Sequence, residues 1–183
     1  MAIINKSNTS NNEKDYWRTP PNLIADALLL LGIETFDMDV CANNNSVRIR
    51  PSRSYLHEED DALKESAEWF YTAGRNGNVA FCNPPFSKKW EFFEKAKKQV
   101  SKFNANVLMV LPYTPCTNEW HNNVHNTNCI IYIPDGRYQY LLPDGSKPKN
   151  SCNFETCLVL LVPFKCGNVI VNYKRGVRRS TND

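Results

Sequence analysis

Four apolar segments, each about as long as one β-strand, are the strongest constraint on how this 183-residue chain can fold. They show no regular alternation of polar and apolar residues, which is typical of strands that are buried on both faces of a parallel sheet. Segments with apolar residues at helical spacing lie around and between them. Strands that alternate with helices predict a mostly parallel α/β sheet with helices on both faces. The predicted buried strands are 78–82, 106–112, 129–134 and 155–163.

The first predicted helix has clear signals at both ends. Thr19 is expected to cap it, Pro20 and Pro21 suit its first turn, and Gly32 is expected to end it. The other predicted elements are a short strand over 36–40, a helix over 62–71, a helix whose apolar face spans 90–103, and a polar connection over 135–153 that holds a hairpin or a mobile loop.

The composition indicates one domain with a sizeable core, because 42% of the residues are hydrophobic. We expect a disordered N-terminal tail over residues 1–14, a single domain over 15–170 and a basic C-terminal tail over 171–183. No apolar run approaches the ~20 residues of a membrane span, and the first residues lack a signal-peptide pattern. We therefore expect a cytoplasmic protein. The formal net charge of +3 permits an anionic partner without requiring one.

The seven cysteines do not predict a metal site. No CxxC pair occurs, so a zinc site built from His57, Cys152 and Cys157 would lack the paired ligand spacing that such sites show. Cys82, Cys129 and Cys157 lie in apolar runs, which is typical of small core residues. We expect no metal.

The most informative motif is Asn83-Pro84-Pro85-Phe86, which follows the strand at 78–82. Prolines end a strand because they cannot donate to its ladder, but this explains neither the asparagine nor the phenylalanine. Ligands of open α/β sheets bind beyond the carboxyl ends of the strands. There, the Asn83 side chain and the Pro84 carbonyl could accept two hydrogen bonds from an NH2 group, while Phe86 covers a planar ring. Such fixed acceptors favour the nucleophilic geometry of an aromatic amine without a strong base. A surface turn is the alternative interpretation.

The motif has the [ND]PP[YFW] pattern of amino-group methyltransferases that use S-adenosylmethionine. Together with "DYWRTPPNLIADAL", "FDMDVCA" and "EEDDAL", it makes residues 15–112 resemble the phage DNA N6-adenine methyltransferases, the Dam-like phage family. The later "DGRYQY" and "NFETCLVLLV" resemble the closing segments of that family less closely. The resemblance implies a Rossmann-like class I methyltransferase fold, S-adenosylmethionine as cofactor, and double-stranded DNA with a flipped target base as substrate. It implies no obligate protein partner.

The resemblance also implies residue roles. The catalytic residues are expected to be Asn83, Pro84, Pro85 and Phe86. The cofactor is expected to contact Trp17, Thr19, Pro20, Asp39, Cys41, Ala42, Asn83 and either Asp61 or Asp60. The glycine-rich loop of the wider methyltransferase class is replaced here by "CANNNS". The phage family also lacks that loop.

Several alternatives remain open on the sequence alone. The substrate amine could belong to cytosine N4, to an RNA base or to a protein glutamine, and a non-catalytic DNA-binding module derived from a methyltransferase is the alternative of a different class. Asp39 could hydrogen-bond its own loop, and Trp17 could anchor the chain. At most one acidic residue of 58–61 is expected to touch a ligand. The lysines over 88–102 are typical of a solvated helix face, whereas the basic run 174–179 is a better candidate for DNA backbone contacts.

Overall fold

The computed structural model describes residues 14–42, 52–71, 78–149 and 154–176. Its centre is a seven-stranded sheet. The strands are β1 (Phe36–Asp39), β2 (Ser52–Tyr55), β3 (Val79–Cys82), β4 (Asn106–Pro112), β5 (Cys129–Pro134), β6 (Thr156–Leu161) and β7 (Asn168–Tyr173). The helices are α1 (Pro21–Leu31), α2 (Lys89–Phe103) and α3 (Asn118–Asn123), and a 3-10 turn spans Glu58–Asp60.

The strand order is β2-β1-β3-β4-β6-β5-β7. β1 is parallel to β2 and β3, β3 is parallel to β4, and β5 is parallel to β7. β6 runs antiparallel to both β4 and β5. The predicted mixed α/β architecture with a mostly parallel sheet is therefore confirmed, although β6 departs from it. The described residues between β5 and β6 form no helix, and β6 runs antiparallel to β5 from the edge at which β5 ends.

This topology decides where the functional site can form. β5 ends and β6 begins at the edge where β1, β3 and β4 end, so the described residues between β5 and β6 start and finish at that edge. That edge is the one at which ligands of open α/β sheets bind. The described part of the connection predicted over 135–153 thus lies at the same edge as the Asn-Pro-Pro-Phe motif.

Alternate strand residues face two separate cores. Met38, Ala80 and Met109 pack with α2 and α3 on one face. Phe81 and Leu108 pack with α1 on the other face. The unbroken apolar strands follow from this arrangement, because both faces of the sheet are covered by helices. Every helix in the described ranges is too short or too polar to cross a membrane.

The predicted helix over 62–71 is wrong. Its residues form turns, because the side chain of Trp69 donates to the Ala62 carbonyl (3.1 Å) and its backbone N–H donates to Gln99 Oε1 on α2 (2.9 Å). These tertiary contacts override local helix propensity. At α1, Gly32 ends the helix in the left-handed region as expected (φ 66°), but Pro20, not Thr19, is the residue that precedes the first turn.

The C-terminal part of the chain extends the sheet. β7 ends at Tyr173, so the predicted domain boundary at residue 170 falls inside a strand. Beyond it, the Gly176 N–H donates to Asp26 Oδ1 (2.8 Å), and the Tyr138 hydroxyl donates to Asp26 Oδ2 (2.6 Å). These two hydrogen bonds connect α1 to the residues that follow β7 and to the connection that follows β5. Of the tails predicted over 1–14 and 171–183, residues 1–13 and 177–183 lie outside the described residues.

Candidate active site

Two cavities meet at the carboxyl end of β3. The larger is an open cleft of about 590 Å³, and the smaller is a pocket of about 40 Å³. Three residues line both of them: Asp15, Trp17 and Asn83. Asn83 therefore stands in a wall that the two cavities share.

The Asn-Pro-Pro-Phe motif divides its residues between the cavities. Pro85 lines the cleft, whereas Pro84 and Phe86 line the smaller pocket. The Pro85 carbonyl accepts a hydrogen bond from the Lys88 N–H (3.0 Å), so the chain turns tightly from β3 into α2. The prolines end the strand as expected, and the turn exposes opposite sides of the motif to different cavities.

The smaller pocket is walled by aromatic rings. The Phe86 ring centroid lies 5.4 Å from that of Phe154, which lies 5.7 Å from that of Tyr140. The Trp17 ring stacks on Phe154 at 6.4 Å. A volume of about 40 Å³ is far below the roughly 300–1,000 Å³ of small-molecule sites. A planar base can therefore enter only if these rings separate.

Two lysines stand at the same pocket. Lys14 Nζ lies 5.3 Å and Lys89 Nζ 4.7 Å from the centroid of the Phe86 ring, within cation–π range. Burial lowers the pKa of Lys89, while the nearby carboxylates of Glu119 and Asp15 oppose that shift. The ring at the pocket mouth is thus flanked by two amines that can meet an anion.

Residues 14–19 form a segment, here called the N-terminal strap, that is bound on both sides of the pocket. The Asp15 carboxylate accepts from the Ser87 N–H (2.8 Å) and the Ser87 hydroxyl (2.6 Å), next to the motif. Arg18 exchanges two backbone hydrogen bonds with Leu141, at 2.8 and 3.1 Å. The strap therefore connects the motif to the segment between β5 and β6.

Most of the residues expected to bind the cofactor line the larger cleft. They are Trp17, Cys41, Ala42, Asp61 and Asn83. His57, Glu58 and Glu59 line it as well, so three of the acidic residues at 58–61 face the cavity where at most one ligand contact was expected. Asp60 is not among the lining residues, because its carboxylate accepts from the His57 N–H (2.7 Å) and closes the 3-10 turn. Of the two alternatives, the structure places Asp61 in the cleft.

Three of the residues that were expected to bind the cofactor are buried and line neither cavity. Asp39 is fully buried, and its Oδ1 accepts from the Cys41 N–H (3.3 Å) in the loop that lines the cleft. Thr19 is 3% exposed, and its Oγ1 accepts from Asn83 Nδ2 (2.8 Å). Pro20 is buried as well. Neither cavity is lined by any of the three, and the loop role weighed for Asp39 from the sequence agrees with its position.

Comparison with known proteins gives the family. The model of the family described as "DNA N-6-adenine-methyltransferase (Dam)" matches residues 6–181. The chain belongs to the Dam family. It is also similar to the DNA N-6-adenine-methyltransferase of Haemophilus phage HP1 (strain HP1c1), with 27% identity over 161 residues that cover 88% of this chain and 86% of the relative. The predicted resemblance to phage Dam-like enzymes is confirmed.

Several site residues of this Dam-family chain were missed by sequence reasoning. Tyr140 and Phe154 lie on a connection whose function the pattern did not indicate, and Lys14 was assigned to a tail. The available signals were the weaker family resemblance of "DGRYQY" and "NFETCLVLLV" and the aromatic residues in them. Among the residues that the structure describes, no group of three or more His, Cys, Asp or Glu side chains could hold a metal ion.

Proposed function

We propose that this Dam-family DNA adenine-N6 methyltransferase binds S-adenosylmethionine in the larger cleft and a flipped adenine of double-stranded DNA in the smaller pocket. The observation that carries the proposal is the position of Asn83 in the wall common to both cavities. The amine and the methyl group must meet in line, which is chiefly a matter of positioning. A residue that borders both sites can act on the amine at that meeting point.

The sheet supports a Rossmann-like class I methyltransferase fold. β1 and β3, the strands that lead into the cleft, are adjacent and parallel, and their ends lie at one edge. The antiparallel β6 between β4 and β5 brings the connection that carries Tyr140 and Phe154 to that edge. The fold thereby assembles a donor site and an acceptor site from consecutive strand ends.

The residues of the cleft fit S-adenosylmethionine. Its volume of about 590 Å³ falls within the roughly 300–1,000 Å³ of small-molecule sites. Asp61, Glu58 and Glu59 offer carboxylates for ribose hydroxyls and an amino group. Arg18 lines the same cleft, and its buried Nε has no hydrogen-bond partner among the described residues, so a polar ligand group could satisfy it. When bound, the cofactor supplies an electrophilic methyl group on a sulfonium.

The chain itself prepares the nucleophile. Phe86 stacks on the flipped adenine, and Asn83 Oδ1 accepts a hydrogen bond from its N6 amine. Accepting this bond stabilises the pyramidal nitrogen that attacks the methyl group. With the cofactor in the cleft, the nitrogen held by Asn83 would form the C–N bond and release one proton to solvent, and the electron pair of the broken S–CH3 bond would stay on the sulfur. An amide suffices for Asn83, because no strong base is needed.

The smaller pocket favours a nucleic-acid base over a protein glutamine. Its walls include the aromatic rings of Phe86, Tyr140 and Phe154, and aromatic rings suit a planar base. A base inside a duplex can reach such an enclosed pocket only by flipping. Lys14 and Lys89 beside Phe86 are placed to meet the phosphates of the extruded nucleotide.

The test is the Asn83→Ala variant, assayed by single-turnover methyl transfer to an unmethylated duplex. We expect the rate to fall by a factor of about 100–1,000, the usual cost of one preorganised catalytic hydrogen bond. The affinity for S-adenosylmethionine, measured by calorimetry, should stay within a few-fold. Asn122→Ala on the exposed side of α3 is the matched control. Near-normal turnover of Asn83→Ala would show that the motif is only a turn, and methylation of RNA or protein in preference to DNA would reassign the substrate.

A further inference from the structure

Two cysteine side chains are in contact at the edge of the sheet where the candidate active site forms. The Sγ atoms of Cys41 and Cys82 lie 3.7 Å apart. Cys41, in the loop after β1, is partly exposed and lines the larger cleft. Cys82 is the last residue of β3 and is fully buried. One thiol of the pair is therefore reached from the cleft, and the other contacts it from the core.

The backbone brings these two residues within reach of a disulfide bond. The Val40 N–H donates to the Phe81 carbonyl at 2.9 Å, so the two chain segments are still joined one residue before each cysteine. Neighbouring strands lie about 4.7–4.9 Å apart, and the Cα atoms of a disulfide lie about 4.4–6.8 Å apart. The sulfur atoms must approach from 3.7 Å to about 2.05 Å. This needs a local adjustment of two residues and no rearrangement of the sheet.

We propose that Cys41 and Cys82 form an oxidation site, at which a peroxide converts the two thiols into a disulfide. The Cys41 sulfur takes one oxygen atom from the peroxide, whose O–O bond breaks, and becomes a sulfenic acid. The Cys82 sulfur then attacks the Cys41 sulfur, and the S–S bond forms as the S–O bond breaks. The oxygen leaves as water with the proton of the Cys82 thiol. The thiols lose two electrons in all, and the peroxide gains them.

The disulfide acts on the candidate active site, because both cysteines adjoin its residues. Cys82 directly precedes Asn83, which stands in the wall that the two cavities share. Cys41 is part of the cleft wall, and its N–H is bonded to Asp39 Oδ1. Since a misplacement of about 1 Å can cost about 100-fold in rate, we expect the oxidised protein to methylate DNA about 10- to 100-fold more slowly. The disulfide itself is independent of the proposed function, whereas this effect rests on it.

The first experiment maps the disulfide in the parent protein after treatment with hydrogen peroxide. Trypsin leaves Cys41 in the peptide 19–48 and Cys82 in the peptide 76–88, and neither peptide contains another cysteine. We expect a species whose mass is two hydrogens below the sum of these peptides, and dithiothreitol should separate it into both. Oxidation of the exposed Cys116 without linkage of the two peptides would overturn the proposal, because the contact would then be core packing alone.

The second experiment tests the order of the two steps with dimedone, a reagent that labels sulfenic acids. In Cys82→Ala the attacking thiol is missing, so we expect peroxide to leave Cys41 as a sulfenic acid that dimedone labels. In the parent protein the disulfide should form instead, and the labelling of Cys41 should be several-fold lower. Equal labelling in both proteins would overturn the role of Cys82. The mapping in the parent protein decides the proposal even where Cys82→Ala does not fold.

The third experiment measures methyl transfer before and after oxidation, so that each protein serves as its own reference. The parent protein should lose activity and regain it with dithiothreitol. Cys116→Ser is the matched control, because Cys116 is exposed and lines neither cavity, and it should lose and regain activity in the same way. Unchanged activity of the linked protein would overturn the effect on the site.

Saturating S-adenosylmethionine separates this inference from the proposed function. A cofactor in the cleft covers Cys41, so the peptides 19–48 and 76–88 should become linked several-fold more slowly when it is bound. Linkage at an unchanged rate would overturn the placement of the cofactor in this cleft and leave the oxidation site intact. Absence of linkage with and without the cofactor would overturn the oxidation site and leave the proposed function intact.

Discussion

Replacing Phe86 by leucine should lower kcat/KM for methylation of the target base and leave the affinity for the cofactor unchanged. Phe86 lines the smaller pocket and is absent from the walls of the cleft. Stacking of a base on an aromatic side chain contributes about 1–3 kcal/mol, which corresponds to a factor of roughly 5–150. Because the ring also contacts Phe154 and two lysines, its loss loosens the pocket as well, so we expect a reduction of kcat/KM toward the upper half of that range.

The assay is methyl transfer to a duplex with one target site, with Phe86→Tyr as the matched control. Tyrosine keeps the π-face, so this variant should stay within about threefold of the parent enzyme. A mispaired target adenine should raise the DNA affinity of the parent enzyme, since less pairing energy is lost on flipping. Calorimetry with S-adenosylmethionine should give the same affinity for all three proteins.

Two results would refute this reasoning. If Phe86→Leu methylated the duplex as fast as Phe86→Tyr, the ring would have no stacking role. If mispairing left DNA binding unchanged in every variant, the base would not enter the smaller pocket. A weakened cofactor affinity in Phe86→Leu would instead show that the two cavities do not bind separate ligands.

Other substitutions test residues in or next to the two cavities. Asp61→Asn should weaken S-adenosylmethionine binding by about 10- to 150-fold, the range for a hydrogen bond to a charged group, while Asp60→Asn stays within twofold in the same calorimetric titration. Asp39→Ala should lower both cofactor affinity and melting temperature, because it leaves a backbone N–H in the cleft loop without its acceptor, whereas Asp39→Asn should lose much less in either measurement. Lys14→Ala and Lys89→Ala should each reduce the slope of log DNA affinity against log salt by about 0.9 if they meet phosphates, and an unchanged slope would remove them from the DNA interface.

The strands that can be recognised from their own apolar residues were predicted well. The segments 106–112 and 129–134 coincide with β4 and β5, because both are apolar apart from Asn106 and both end at a proline. β7 was missed because it is an edge strand, with Val169 and Ile170 exposed, and therefore carries no buried run. β2 and α3 were missed for a similar reason, since few of their residues are buried.

The functional residues of the site could be predicted only where they lie close together in the sequence. The Asn-Pro-Pro-Phe motif and the cleft positions of Cys41, Ala42 and Asp61 follow from strand ends. The bond between Thr19 and Asn83 could not be foreseen, because it joins residues 64 positions apart and because Thr19 also fits a helix cap. The cytoplasmic location, the tails and the lack of an obligate protein partner stay predictions.

The hydrogen bonds of the N-terminal strap also have a consequence for the order of folding. Asp15 and Ser87 are 72 positions apart, and the partners of Trp17 and Arg18 lie later still, at Phe154 and Leu141. Contacts of such long sequence separation form slowly, because a large loop must close before they stabilise anything. During synthesis the strap emerges first and must wait for almost the whole chain. A nascent chain that stops before Phe154 lacks a wall of the smaller pocket, so on the proposed function this enzyme acquires methyl transfer only late in its own synthesis.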